Sequence, residues 1–317
     1  MFFRLLLIVV CLLAKDAHAQ WLPDKPLYIH AGDTQILDKN PNFYEYWHLT
    51  NHYFYRKPGL NGATYDYRTI DPRRFKEQYL DNKERRYAKD RNHPWLYRDM
   101  ILDLEMNPIW KVNDPEWSRW TQDYINIMRM TKAAGKPVAT YGVYLQAQEY
   151  QTWWNLGKFT WYLDPKLNPG YESATASQKA YWKKKLQEYQ AKERSALQKL
   201  EILGKRFENE IDASVLELYM AYEIPSLDSW QWYAWKYLVQ QKVAAYSLAF
   251  PGKPIYVFIQ PNFTAGWKPA PLDIWAANVQ LMMELPEISR VYIFNSRSKP
   301  KIEGWEDVLV NGPASYE

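Results

Sequence analysis

The chain has 317 residues and a mass of 37.9 kDa, enough for a large core in one big domain or two modest ones. Apolar residues make up 47% and charged residues 24%, with 12 Gly and 20 Pro, which excludes disordered, collagen-like and linker-dominated proteins. A formal charge of +4 is too mild to argue for a nucleic-acid partner.

Residues 1–19 read as a secretory signal peptide. Arg4 supplies a basic start, residues 5–14 are apolar, and Ala17-His18-Ala19 is a small-x-small cleavage site before Gln20. The apolar stretch is too short to span a bilayer and no later segment is long enough, so residues 20–317 are expected to be secreted or periplasmic. The single cysteine, Cys11, lies in this leader. The remainder therefore has no disulfide, no thiol nucleophile and no cysteine-ligated zinc. Removing Arg4, Lys15 and Asp16 leaves 38 basic and 35 acidic residues, a charge of +3.

Two short strands are expected near the start, at 28–30 and 52–55. A strand at 96–104 carries Met100, Ile101, Leu102 and Leu104 and closes on Asp103 and Glu105. Asp114-Pro115-Glu116 reads as a helix start, and Trp117, Trp120, Tyr124, Ile127, Thr131 and Ala134 follow at helical spacing. Gly135-Lys136-Pro137 stops that helix, and 138–145 is the next strand. The phrase returns: a strand at 215–222 ending at Glu223, a Trp-rich helix at 227–250, a Gly252-Lys253-Pro254 stop and a strand at 255–259. A helix at 272–285 then leads to a strand at 291–294. Between them, 177–211 is a long charged helix with an apolar stripe at Leu186, Tyr189, Leu197 and Leu200, read as an outer, solvated helix or as a docking surface.

The step from Glu105 to Pro137 is 32 residues, from Glu223 to Pro254 is 31, and from Gln260 to Arg290 is 30. Crossovers of such even length fit parallel βα units. The expected fold is an α/β (β/α)8 TIM-type barrel in one domain with a helical insertion at about 170–212; the alternative is an open, doubly wound sheet that binds a small ligand.

In barrels the chemistry gathers at the carboxyl ends of strands. Those ends carry Asp103 and Glu105, Tyr141 to Gln146, Tyr222 and Glu223, Gln260 and Asn262, and Asn295 and Ser296. Neither GxGxxG nor GxxxxGK[ST] occurs, so no nucleotide cofactor is expected. Asp103 and Glu105 are one residue apart on a strand and so share a face. Each charge opposes ionisation of the other, which keeps a proton available for general-acid work. Breaking a glycosidic bond requires such a donor. A structural role for the pair, as a helix cap or exposed ion pair, stands beside that reading.

The strand ending Ile101-Leu102-Asp103-Leu104-Glu105, followed by Pro108-Ile109-Trp110 and a Trp-rich helix start, resembles the hyaluronidase-type glycoside hydrolases. It is similar, more loosely, to chitinase-like and lysozyme-like barrel hydrolases. The resemblance covers 97–144. It implies that Glu105 is the acid/base and that Asp103 orients a 2-acetamido group, which attacks the anomeric carbon in place of an enzyme nucleophile. The chain departs from the chitinase pattern at Arg98 and Ile101, where two further acids would fall, and lacks the disulfides of animal hyaluronidases. Its last strand ends at Asn295, where a Trp would be hoped for.

Glu223 is the second candidate carboxylate. Roughly 5 to 5.5 Å from Glu105 it would act as a nucleophile with retention, and roughly 6.5 to 9.5 Å would suit inversion; alternatively it caps a helix or pairs with a base such as Arg297. Substrate contacts are expected from Tyr141, Tyr144, Tyr222, Gln260, Asn262, Asn295 and Trp110. Trp153, Trp154, Trp161, Trp230, Trp232, Trp235 and Trp267 are core or sugar-stacking residues, most of them core. Asn262-Phe263-Thr264 is also a glycosylation sequon. His48 and His52 stand four apart without HExxH or a third ligand, so no metal is expected. No GxSxG occurs. The expected function is cleavage of a polysaccharide or oligosaccharide; the rival is a barrel that binds glycan or an envelope protein without cleaving it.

Overall fold

The computed structural model describes residues 111–141 and 147–294, together with Lys25, 27–30, 43–46, 48–49, 55–56, 66–70, 72–76, Asp81, 100–103 and 302–313. The expected leader at 1–19 lies outside the described residues.

In chain order the strands are β1 (Leu27–His30), β2 (Phe43–Tyr46), β3 (His48–Leu49), β4 (Tyr55–Arg56), β5 (Asp66–Ile70), β6 (Met100–Asp103), β7 (Val138–Tyr141), β8 (Ala213–Glu217), β9 (Ile255–Ile259) and β10 (Ile288–Ile293). The helices are α1 (Pro72–Phe75), α2 (Trp117–Ala133), α3 (Ala147–Leu163), α4 (Ala176–Phe207), α5 (Trp230–Ala249), α6 (Leu272–Glu284) and α7 (Trp305–Asn311). Eight strands form one sheet in the order β2-β1-β10-β9-β8-β7-β6-β3, and β4 and β5 form a separate antiparallel pair. Every neighbouring pair in the large sheet is parallel. The strands at its two ends, β2 and β3, are separated in the chain by Trp47 alone. Consecutive Cα atoms are about 3.8 Å apart, so Tyr46 and His48 bring those ends within about 7.6 Å of each other.

Alternation along the strands divides the sheet residues between two cores. Leu102, Val138, Leu216, Val257, Ile259 and Val291 pack with the helices in the main core. Their neighbours Ile101, Ala139, Ala213, Val215, Tyr256, Phe258 and Tyr292 form a smaller cluster on the other face, drawn from strands alone among the described residues.

The βα phrasing expected from 100 onward is present, and α2, α5 and α6 lie where helical spacing placed them. Gly135 and Gly252 close α2 and α5 at φ 73° and 75°, a conformation that favours glycine. Helix α2 begins later than Asp114 predicted. The Asp114 carboxylate accepts from the Glu116 amide at 2.9 Å, making a turn before the helix rather than capping it. Helix α4 is 32 residues long and opens on a capping box in which Thr175 and Gln178 exchange bonds. The buried contacts of α4 are Ala196, Leu200, Leu203, Gly204 and Phe207, whereas Leu197 of the expected stripe is exposed.

One strand needs correction. The strand expected at 215–222 is β8, which starts at Ala213 and ends at Glu217. Beyond it the Leu218 amide still donates to Phe258 O, but Met220 and Ala221 then accept from Thr264 and Ala265 in the loop after β9. The apolar run continues while its partner changes from strand to loop. Of the strand expected at 52–55 only Tyr55 is described, in β4, and the large sheet also takes strands at 43–46 and 48–49.

Helices α3 and α5 share the most extensive packing of the described elements. A Cβ on Gly157 would stand 2.7 Å from Ala234 Cα and 2.9 Å from Tyr237 Cβ, so only glycine permits this approach. Three buried indoles find acceptors: Trp235 Nε1 donates to Asn278 Oδ1 at 2.8 Å, Trp153 Nε1 to Glu193 Oε1 at 3.0 Å, and Trp275 Nε1 to Trp305 O at 3.0 Å.

Candidate active site

Because the large sheet is parallel, the carboxyl ends of its strands share one end, where Asp103, Tyr141 and Glu217 are the last residues of β6, β7 and β8. Asp103 pairs in register with Tyr141, and Tyr141 with Val215, so Glu217 stands two residues further toward the carboxyl end. Glu105, Tyr144, Trp110 and Asn295 lie outside the described residues, as does His52; for Asp103 and Tyr141 the description is of the backbone.

The loops after β8 and β9 are joined at this end. Thr264 N donates to Met220 O at 2.8 Å and Ala265 N to Ala221 O at 3.1 Å. Glu223 is exposed, and its Oε1 lies 2.5 Å from Lys268 Nζ in the adjoining loop. Its place is therefore six residues past the end of β8, in an ion pair in water, and not at a strand end. Tyr222 is also exposed and packs on Trp154, ring centroids 4.9 Å apart, with Tyr150 6.1 Å away. Beneath them the Tyr150 hydroxyl accepts from Ala221 N at 2.9 Å, and burial pushes its phenol pKa up.

Gln260 and Asn262 are buried, and their amides brace the loop that follows β9. Gln260 Nε2 donates to Asn262 O and Thr264 Oγ1, both at 3.2 Å, and Asn262 Nδ2 donates to Trp267 O at 3.5 Å. At 5% exposure, Asn262 is no glycan acceptor in the folded chain. Of the tryptophans singled out, Trp153, Trp154, Trp232 and Trp235 are buried core, whereas Trp161, Trp230 and Trp267 are partly exposed.

Sequence reasoning passed over three charged residues here. Glu217 is half-buried at its strand end, two residues after Val215 of the strand-only cluster, and so has the same parity. Lys242 of α5 is buried and its Nζ donates to Glu217 O at 2.8 Å. Burial pushes the Lys242 ammonium down, opposed by Glu217 and by Glu149 of α3. Burial raises the Glu149 carboxyl, opposed by a backbone hydrogen bond and by Lys199 and Lys242. The signal for Glu217 was its alternation with Ala213 and Val215; for Lys242 and Glu149, in helices far apart in sequence, none was available. Among the described residues no three His, Cys, Asp or Glu side chains converge as a metal site, and no helix is long and apolar enough to cross a membrane.

No family model matches the chain, and no curated protein does. Among solved structures, the chain is similar to the crystal structure of bee venom hyaluronidase at 10% identity and a TM-score of 0.44. The match covers 90% of this chain and 96% of that one.

Proposed function

We propose that the chain is a glycoside hydrolase built on a closed parallel barrel, with Glu105 as general acid and Asp103 in support. The observation that carries this reading is the position of Asp103 as the last residue of β6, at the end of the sheet where Tyr141 and Glu217 also stop. Glu105 follows two residues later in the sequence, and parallel α/β folds carry their chemistry just past their strand ends. Closure is supported from two sides. The end strands β2 and β3 are chain neighbours, and the face bearing Ile101, Val215, Phe258 and Tyr292 is buried without a helix among the described residues. A sheet face covered by no other layer is buried when the sheet curls onto itself. With β2 and β3 as one broken stave, the described residues supply seven staves.

Glu217 replaces Glu223 as second carboxylate in this reading. It stands at a strand end with the parity of the strand-only cluster, whereas Glu223 is exposed and engaged by Lys268. With the 1–19 leader removed, the enzyme acts outside the cytoplasm on a polysaccharide, and a substrate with a 2-acetamido group would supply its own nucleophile. The second reading, a glycan-binding barrel without turnover, is favoured by the same ion pair, which takes one expected carboxylate away from chemistry.

The test is release of new reducing ends from bacterial, plant and animal polysaccharides by the protein and its Glu105→Gln variant. Loss of a general acid costs roughly 10²–10⁴ in rate, so release by the parent and almost none by the variant is expected. Equal release by both would move the acid elsewhere, with Glu217→Gln the next variant. Silence from both, with binding retained, would leave the second reading.

A further inference from the structure

Trp267 is the one non-glycine with a positive φ among the described residues, at 55°. A left-handed backbone brings Cβ against the carbonyl oxygen, and for a bulky aromatic it is a conformation that the surroundings must impose. They do impose it. Gly266 before it is at φ 73°. Phe263 N donates to Lys268 O at 2.8 Å, Ala270 N to Pro261 O at 3.0 Å, and Asn262 and Pro269 form an antiparallel bridge, closing a tight loop with 264–267 at its tip. Buried Asn262 reaches the Trp267 carbonyl, and Gln260 holds Asn262 and Thr264. The loop is also fixed to its neighbour through Met220, Ala221 and the Lys268–Glu223 pair.

A glycine at 267 would adopt this turn without strain. Here the braced tip instead carries an indole, partly exposed, with Thr264, Ala265, Gly266 and Lys268 around it exposed. The loop follows β9 and rises at the same end of the sheet as Asp103, Tyr141 and Glu217.

We propose that Trp267 is a ligand-stacking residue, held in a left-handed conformation so that its ring receives the apolar face of a sugar at the carboxyl end of the sheet. Rings of this kind combine a large apolar area with little conformational freedom, so a fixed indole binds a pyranose face without first being ordered. The inference rests on the glycan reading above and adds a residue to it: backbone strain is kept at the position where the ligand is held.

The test separates the ring from the turn that carries it. Trp267→Gly and Trp267→Tyr are made in the Glu105→Gln protein, which prevents turnover. Binding of oligosaccharides of chitin, peptidoglycan, cellulose, xylan and hyaluronan is measured by calorimetry, and thermal unfolding alongside. The glycine variant is expected to unfold cooperatively, as its parent does, and to bind at least tenfold more weakly. The tyrosine variant, which keeps a ring, should retain most of the affinity. Unchanged binding by Trp267→Gly overturns the inference and leaves the glycan reading intact. Equal loss of affinity in Trp267→Tyr also overturns it, because the ring face would then not be what binds. Failure of the parent to bind any of the five sinks the glycan reading itself, and this inference with it.

Discussion

Helices α3 and α5 contrast with α4, which packs on both. Helix α5 buries Trp232, Ala234, Trp235, Leu238, Val239, Lys242, Val243, Ala245 and Tyr246, nearly half its length and on more than one face. Helix α4 buries five residues out of 32, all in its second half. The first pair is held by shape, with a backbone approach at Gly157, while its indoles donate outward, Trp153 to Glu193 of α4 and Trp235 to Asn278 of α6. The second is held along one seam, again with a glycine where backbones meet, Gly204 against Ala249, and elsewhere it carries charge into water. Interior packing tolerates little change in volume, whereas a solvated face tolerates almost any polar residue. Mutational cost should therefore fall steeply from α3 and α5 to the outer face of α4.

A large effect is expected at Gly157. Valine there would drive a branched Cβ into Ala234 Cα and Tyr237 Cβ, and the first is backbone that cannot rotate aside. The helices must separate, at a cost of about 3 kcal/mol, set against a few tenths of a kcal/mol gained in helix propensity. Denaturant unfolding of Gly157→Val checks this. A loss under about 1 kcal/mol would mean that the α3–α5 contact is loose and that the contrast with α4 is unfounded.

What was legible in the sequence follows the same division. Strand β9, five buried apolar residues before a turn, and the glycine stops at 135 and 252 are local signals, and they located α2, α5 and β9 within a few residues. Strand β8 misled because Leu218, Tyr219 and Met220 continue the apolar run. What ends the strand is the change of hydrogen-bond partner from Phe258 to Thr264, a contact more than forty residues away in the chain. Glu217, set between Leu216 and Leu218, consequently read as strand interior and Glu223 as the strand end. The left-handed turn at Gly266 was readable in principle, but not that Trp267 would share it, since braces from Asn262 and Gln260 hold it there. Strand parity put Asp103 and Glu105 on one face, and their separate roles came from the resemblance to hyaluronidase-type hydrolases. The register of Asp103 against Tyr141 needed the fold.

A smaller effect is expected where the two regions meet electrostatically. Glu149 of α3 is buried, with Lys199 of α4 and Lys242 of α5 acting on it, and its carboxyl is raised chiefly by burial. A carboxyl raised on folding binds its proton more tightly in the native state. Its contribution to stability is then complete below the ordinary value of 4.5 and is lost as pH rises through the raised one. Glu149→Gln removes that dependence. The stability of the parent relative to the variant should therefore fall between mildly acidic and neutral pH, measured as the difference between two urea titrations at each pH. A difference that rises with pH over that window would mean that the lysines outweigh burial and that the three groups form a stabilising ion network.

The smallest effect is expected on the outer face of α4. Lys205 Nζ lies 2.6 Å from Glu201 Oε1 at one helical turn's spacing, with side chains 72% and 63% exposed. The hydrogen bond raises the lysine pKa and holds the glutamate below its usual value, yet water and salt screen the pair and ordering two long side chains opposes it. Lys205→Gln should leave the melting temperature within experimental scatter at physiological salt, with at most a slight fall at low salt. The same helix face carries exposed Leu197 and Ile202, with Leu248 of α5 82% exposed beside it. Should Lys205→Gln lower stability only as protein concentration is reduced, the outer face of α4 would be a contact between copies of the chain. The charged helix would then belong with α3 and α5 among the buried surfaces.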